Sequence, residues 1–302
     1  MLSRKNKLRL LKLLSLFSVV RGYNILIIVI AQYLTSIYIL APGKPLGQVL
    51  FDPNLFVLVV ASALAIAAGY LINNFYDTEK DLINRPAKAL LDNYVSQRTK
   101  LSVYFILNFL AVVLASYVSF KTVAFFSIYI FFLWFYSHKL KKYPFIGNLT
   151  ASILAIVPFF AVFVYYKNFD LVIFVHATFL FLVISIRELV KDLENLKGDF
   201  AQDYHTIPVV YGIKFTKRLA SLLVFMTLVP TAILLFAHFQ IGYMYYFFIF
   251  SFVVLMVFLV FLWKSQYKLQ YILLHNLLKL VIVIGVFSIL LIDVSVVLNR
   301  IL

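Results

Sequence analysis

Residues 54–81 read NLFVLVVASALAIAAGYLINNFYDTEKD. From Asn54 to Tyr76 there is no charged side chain, and then Asp77, Glu79, Lys80 and Asp81 fall within a few positions. About twenty mainly apolar residues cross the hydrocarbon of a bilayer as a helix. This stretch therefore reads as a membrane span that ends in a cluster of carboxylates. Its apolar positions are continuous and not alternating, so a barrel strand is a poor fit.

The rest of the chain repeats the pattern. Of its 302 residues, 64% are apolar and 13% charged, whereas soluble proteins run nearer half and a quarter. Such a composition excludes a water-soluble fold. Long apolar runs recur at about 17–40, 54–76, 101–120, 122–137, 145–166, 169–190, 215–237, 241–263 and 276–298, which predicts an all-α integral membrane protein, a bundle of about nine transmembrane helices forming one domain over residues 1–302. Pro158 and Pro230 fall inside spans, where neighbouring helices can satisfy the freed backbone. The chain has no cysteine, which removes disulfides, thiolate metal sites and cysteine nucleophiles. The basic N-terminus, MLSRKNKLRLLKLL, runs into the first span without a small-residue cleavage pattern, so it reads as an anchored span and not a removed signal.

The net charge of +15 needs no nucleic acid to explain it. Lysines and arginines gather in the N-terminal arm and after the second, fourth, sixth and eighth expected spans. The opposite side carries only Lys44, Lys121, Lys167 and Arg300. Basic residues favour the cytoplasmic side. The N-terminus and the even-span loops are thus expected to be cytoplasmic, in the cell's inner (cytoplasmic) membrane.

The acids are placed as selectively. Of the chain's twelve, Asp77, Glu79, Asp81 and Asp92 follow the second span. Glu188, Asp192, Glu194, Asp199 and Asp203 follow the sixth. Asn73, Asp77 and Asp81 recur every four residues, which stacks them on one helical face if the helix continues. Asp192, Asn195 and Asp199 also share a face. Adjacent carboxylates repel when ionised, so such rows invite a bridging cation. Carboxylate and amide oxygens suit Mg²⁺, which takes one or two carboxylates and completes its shell with phosphate and water. Interspersed Lys and Arg would pair with phosphate oxygens. One acidic loop alone is ordinary solvated surface. Two cytoplasmic acidic loops with helical acid spacing are expected to form a metal-dependent diphosphate site.

At these residues the chain resembles the UbiA superfamily of intramembrane prenyltransferases, over nearly its whole length. The family's first motif, NDxxDxxxD followed by Asn-Arg-Pro, appears as Asn73-Asn74-Phe75-Tyr76-Asp77-Thr78-Glu79-Lys80-Asp81, then Asn84-Arg85-Pro86. The second, DxxDxxxD, appears as Asp192, Asn195 and Asp199, with Thr206-Ile207-Pro208 beyond it. Arg21 and Asn24 are similar to its RPxN element, with Gly22 in place of proline. Tyr136-Ser137, Leu140-Lys141 and Gly147-Asn148 are similar to its link between spans four and five. Asn74 and Asn195 stand where the family often has Asp, each removing a negative charge.

The resemblance implies Mg²⁺-dependent transfer of a polyprenyl group, such as geranylgeranyl, from its diphosphate to a membrane-associated acceptor. It assigns Asp77, Asp81, Asp192 and Asp199 to metal binding and catalysis, assisted by Asn73 and Asn195. Arg85, Lys139, Lys142 and Lys191 are candidates for the diphosphate, and Arg21 and Asn24 for substrate binding. The stretch Arg187–Glu194 is similar to members that prenylate geranylgeranylglyceryl phosphate, an ether-lipid precursor. An aromatic quinone precursor, dihydroxynaphthoate or 4-hydroxybenzoate, is the alternative acceptor. A secondary transporter is a more distant reading, because transporters place ionisable groups near the midplane on interrupted helices. The expected partners are the prenyl diphosphate, the lipid or aromatic acceptor and membrane lipids, with no nucleic acid and no protein partner.

Overall fold

The uncharged runs become helices in the computed structural model, which describes residues 4–237 and 241–293. In chain order these are α1 (Arg4–Val19), α2 (Gly22–Thr35), α3 (Leu46–Leu50), α4 (Pro53–Tyr76), α5 (Thr78–Asn84), α6 (Pro86–Asp92) and α7 (Gln97–Val118). There follow α8 (Phe120–His138), α9 (Ile146–Tyr166), α10 (Leu171–Ala201), α11 (Ile207–Met226), α12 (Leu228–Phe236), α13 (Tyr245–Lys264) and α14 (Lys268–Ser288). Among the described residues nine helical stretches are long and apolar enough to cross a membrane. They coincide with the nine expected spans except at certain ends.

The ends have local causes. Asp52 caps α4, accepting from the Asn54 and Leu55 backbone N–H groups at 3.0 and 3.3 Å, with Pro53 opening the helix. The first span begins at Gly22 and not near residue 17, because Arg21 turns into the left-handed region at φ 51°. Gly22 follows it closely packed: a Cβ there would lie 2.0 Å from the Phe17 ring, which would have to move aside. The last span starts earlier than expected, at Lys268, where Gln270 Oε1 accepts the Gln266 and Tyr267 backbone N–H groups. Its expected end, residues 294–298, and Arg300 lie outside the described residues.

Both in-span prolines are accommodated by their neighbours. Pro158 cannot donate to the Leu154 carbonyl, and the Tyr129 hydroxyl donates to it instead at 3.2 Å. Pro230 lies just beyond the break between α11 and α12.

Two buried clusters hold the bundle. One surrounds α4, where Leu55, Ala61 and Ala65 pack on Phe126 and Tyr129. The other surrounds α10, where Val183, Ile186 and Leu193 meet Phe248 and Leu278. Small residues let neighbours approach α4 closely, as Leu133 does at Gly69. Large apolar side chains such as Phe109, Phe120 and Phe261 remain exposed, as the outer surface of a bundle in lipid requires. Neither acidic segment is a loop. The first lies on the α4–α5 junction, and the second is the end of the continuous α10.

Candidate active site

Asp77 terminates α4, with φ −92° and ψ 5°, and α5 resumes at Thr78. The break keeps Asn73 beside it: Asn73 Nδ2 donates to Asp77 Oδ2 at 2.9 Å. The other carboxylate oxygen gathers partners from distant segments. Lys141, on the short turn Leu140–Lys142 after α8, donates to Asp77 Oδ1 at 2.8 Å. The Tyr204 hydroxyl donates to the same atom at 3.1 Å. Lys80 lies 3.2 Å from it.

Lys80 also reaches the second acidic segment, with its Nζ 3.5 Å from Asp199 Oδ1. It sits 4.3 Å from the centre of the Tyr204 ring, within cation–π range. The remaining Asp199 oxygen accepts from the Thr206 hydroxyl at 3.3 Å. The ends of the second, fourth and sixth spans therefore meet at one end of the bundle. Their linker is fixed too: the His205 backbone N–H donates to the Lys142 carbonyl at 2.8 Å.

Electrostatics follow from this enclosure. Burial disfavours the Asp77 carboxylate, but Lys141 and Lys80 hold its pKa well below the usual range. Burial likewise opposes the Lys80 ammonium, yet Asp77 and Asp199 hold its pKa above that of an ordinary lysine. The Tyr204 phenol is pushed up by burial and by Asp77, so it remains a donor. Beside these groups lies a cavity of about 330 Å³, whose lining includes Tyr76, Lys80, Lys142, Gln202 and Tyr204.

The other expected residues divide. Asp192 accepts from Asn148 Nδ2 at 2.7 Å. Asn195 is buried, and its Oδ1 has no hydrogen-bond partner. Asp81 is half-buried. Arg21 lies 5.1 Å over the Tyr70 ring, and Asn24 Nδ2 donates to the Tyr70 hydroxyl at 3.4 Å. Lys142 lies 5.2 Å from the Tyr204 ring and faces the cavity. Lys139 is exposed. Arg85 is engaged by Glu194 at 2.7 Å, and Glu194 also meets His275 Nδ1 at 3.0 Å. Lys191 pairs with Glu188 at 2.6 Å.

Sequence reading did not single out Lys80, Lys141 or Tyr204 for this site. Each adjoins a motif, so proximity in sequence was the available signal. It also did not single out Asn84 as the residue that joins the two acidic segments.

Comparison with known proteins identifies the family and the fold. Residues 25–292 match the UbiA prenyltransferase family. The digeranylgeranylglyceryl phosphate synthase of Methanosphaera stadtmanae is 30% identical over 197 residues, covering 65% of this chain and 68% of that protein. A solved digeranylgeranylglyceryl phosphate synthase superposes with a TM-score of 0.68 at 22% identity, over 92% of this chain and 97% of that one. A UbiA homologue from Archaeoglobus fulgidus, bound to GPP and Mg²⁺, gives 0.65 at 14% identity, over 91% and 99%. The chain is thus an integral membrane protein that belongs to the UbiA prenyltransferase family.

Proposed function

We propose that the protein transfers a polyprenyl group, such as geranylgeranyl, from its diphosphate to geranylgeranylglyceryl phosphate, a step in ether-lipid synthesis. The observation that carries the reading is the convergence of Asp77 and Asp199 on Lys80 and Lys141, at one end of an apolar bundle. The acceptor is taken from relatives of that name, the Methanosphaera stadtmanae protein among them. The basic residues of the even-span ends support a cytoplasmic N-terminus and a site on the cytoplasmic face of the inner (cytoplasmic) membrane.

The residues fit a Mg²⁺ ion. The donors are hard oxygens, and the buried Oδ1 of Asn195 accepts no hydrogen bond. Asp77, Asp81, Asp192 and Asp199 would hold it, with Asn73 and Asn195 assisting and diphosphate and water completing its shell. Bound there, the metal would stabilise the negative charge that builds on the departing diphosphate.

The chain's own groups do the rest. Lys142 and Tyr204 border the cavity and offer donors to diphosphate oxygens. Asn148 orients Asp192, and Asn73 orients Asp77. Arg21 and Asn24, which meet Tyr70 at the start of the first span, are assigned to substrate by their likeness to the family's motif. Arg85 and Lys191 act through their pairs with Glu194 and Glu188, bracing α10. In the reaction an acceptor hydroxyl oxygen bonds to the first carbon of the prenyl chain. The bond from that carbon to diphosphate breaks, diphosphate keeps the electron pair, and the hydroxyl proton passes to the released diphosphate. An apolar cavity lined by Ala31, Phe160, His176, Phe179, Phe247 and Val281 is suited to the hydrocarbon tail.

The test is an assay of purified protein with labelled geranylgeranyl diphosphate and Mg²⁺. Geranylgeranylglyceryl phosphate, dihydroxynaphthoate and 4-hydroxybenzoate are offered separately. Labelled product from the lipid phosphate is expected, and product from an aromatic acceptor alone would overturn the assignment.

A further inference from the structure

Farther into the bundle than the acidic helix ends lies a second charged group, and it is cationic. Arg187 stands five residues before Asp192 on α10, roughly 7.5 Å farther into the span at about 1.5 Å per residue. Lys279 stands one helical turn beyond His275 on α14. His275 meets Glu194 of α10 at 3.0 Å, so the face that His275 and Lys279 share looks inward. Lys279 Nζ lies 4.0 Å from the centre of the Tyr23 ring on α2. Arg21 and Arg187 also act on the Tyr23 hydroxyl. Segments from three spans thus bring Arg21, Arg187 and Lys279 around Tyr23.

These cations are short of counter-charge. Among the described residues no carboxylate forms a salt bridge with Arg21 or Lys279. Arg187 has Glu188 at 3.5 Å, but Glu188 is held more closely by Lys191, at 2.6 Å. The Arg187 Nε–H is buried and has no hydrogen-bond partner. Ionisable groups within membrane spans are costly and mark a functional partner. Surplus positive charge beside an idle guanidinium donor calls for an anion.

Two anions reach this site in the reaction above, and depth separates them. The donor's diphosphate belongs at the acidic helix ends, where the metal would hold it. Its prenyl tail runs into the bundle, so the reacting carbon lies on the inner side of the diphosphate. The acceptor hydroxyl must meet that carbon, at the depth of Arg187 and Lys279. In geranylgeranylglyceryl phosphate the free hydroxyl is on the carbon next to the one bearing phosphate, so a grip on the phosphate places the hydroxyl. A phosphate monoester carries about −1.5 to −2 charges at neutral pH, whereas a carboxylate carries one. Three cations suit the phosphate better.

We propose that Arg187 and Lys279, together with Arg21, bind the phosphate of the acceptor and so select a phosphate-bearing lipid over an aromatic carboxylate. The inference rests on the prenyl-transfer reading above and names the residues that fix its acceptor. Arg187 supplies directed N–H donors and Lys279 a mobile point charge.

The experiment measures kcat/KM on the full-length protein in detergent for two acceptors, geranylgeranylglyceryl phosphate and the phosphate-free geranylgeranylglycerol. Wild type should favour the phosphate by about 100-fold or more. Lys279→Met and Arg187→Gln should each cut that preference by about 10- to 100-fold, the worth of a hydrogen bond to a charged group. Lys279→Arg should keep most of it, and KM for geranylgeranyl diphosphate should hold in all three. If one neutral variant does not give folded protein, the other carries the test. An undiminished preference in the neutral variants would overturn the proposal. So would a KM for geranylgeranyl diphosphate that rises in step with that for the acceptor, since the cations would then serve the donor. No product from the lipid phosphate in wild type would overturn the acceptor assignment itself, and this inference with it.

Discussion

The Gly198 backbone N–H donates to Asn84 Oδ1 at 3.1 Å, and Asn84 Nδ2 donates to the Asn195 carbonyl at 3.2 Å. Asn84 thus inserts its amide into the backbone ladder of α10 between two positions of the second motif. This is the joint that sets the first acidic segment against the second. Gly198 is required for it, since a Cβ there would lie 2.3 Å from Asn84 Nδ2.

Gly198→Ala should therefore cost about 1–3 kcal/mol by overpacking and lower the thermal midpoint in detergent. Transfer should fall with it, because the segments are pushed apart. Asn84→Ala should also destabilise, by about 0.5–1.5 kcal/mol for each of the two hydrogen bonds lost between the segments. Combined, the two should cost less than their sum, since the small side chain at 84 removes the clash. Simple additivity would show that the two residues do not interact.

Asp77→Asn removes the carboxylate shared by Lys141, Lys80 and Tyr204. Breaking a buried pair from one side costs about 3–5 kcal/mol, and transfer should fall at least ~100-fold. The pH dependence follows from the sign of the shift. The carboxyl is held below its ordinary value in the folded state, so its contribution is complete above about pH 4 and fades as pH falls through the lowered pKa. The stability gap between wild type and Asp77→Asn should be flat from about pH 5 to 6. That window lies above the carboxyl's range and below that of its partner Lys141, whose pKa burial lowers to about 8. A gap that grows steadily across that window would contradict the assignment.

Tyr129→Phe tests how the bundle tolerates Pro158. Without the hydroxyl, the Leu154 carbonyl loses the donor that compensates for proline. A loss of roughly 0.5–2 kcal/mol is expected, in line with hydrogen bonds within membranes. The catalytic rate should be almost unchanged. Calorimetry in detergent, with transfer assays alongside, would separate the two effects.

Chelation should divide function from fold. EDTA is expected to abolish prenyl transfer, and Mg²⁺ to restore it. The thermal midpoint should hardly move, because Lys80 and Lys141 hold the Asp77 and Asp199 carboxylates in place when metal is removed. Collapse of the fold on chelation would mean that the metal, and not the lysines, ties the segments together.

Much of this molecule was legible in its residues, for identifiable reasons. An uncharged run such as Asn54–Tyr76 can only be a span at this composition. The spacing of Asp192, Asn195 and Asp199 is a property of one helix, and α10 carries it unbroken. What was hidden lies between helices. Periodicity relates a residue to neighbours on its own helix, so it could not choose among Lys139, Lys141 and Lys142. The turn after α8 aims Lys141 at Asp77, leaves Lys139 exposed and turns Lys142 toward Tyr204. Arg85 looked free for a diphosphate because its partner, Glu194, is remote in sequence. Asn74 looked like a weakened ligand, whereas its amide is committed to Lys100 and Asp92.

The central claim is that the two acidic segments form one metal-dependent diphosphate site. Anomalous difference density, from a crystal grown with Mn²⁺ and an unreactive thiolo analogue of geranylgeranyl diphosphate, tests it most directly. The account predicts Mn²⁺ density between the segments, within reach of Asp77, Asp81, Asp192 and Asp199, with the diphosphate beside it. Diphosphate bound elsewhere, or no peak between the segments, would contradict it.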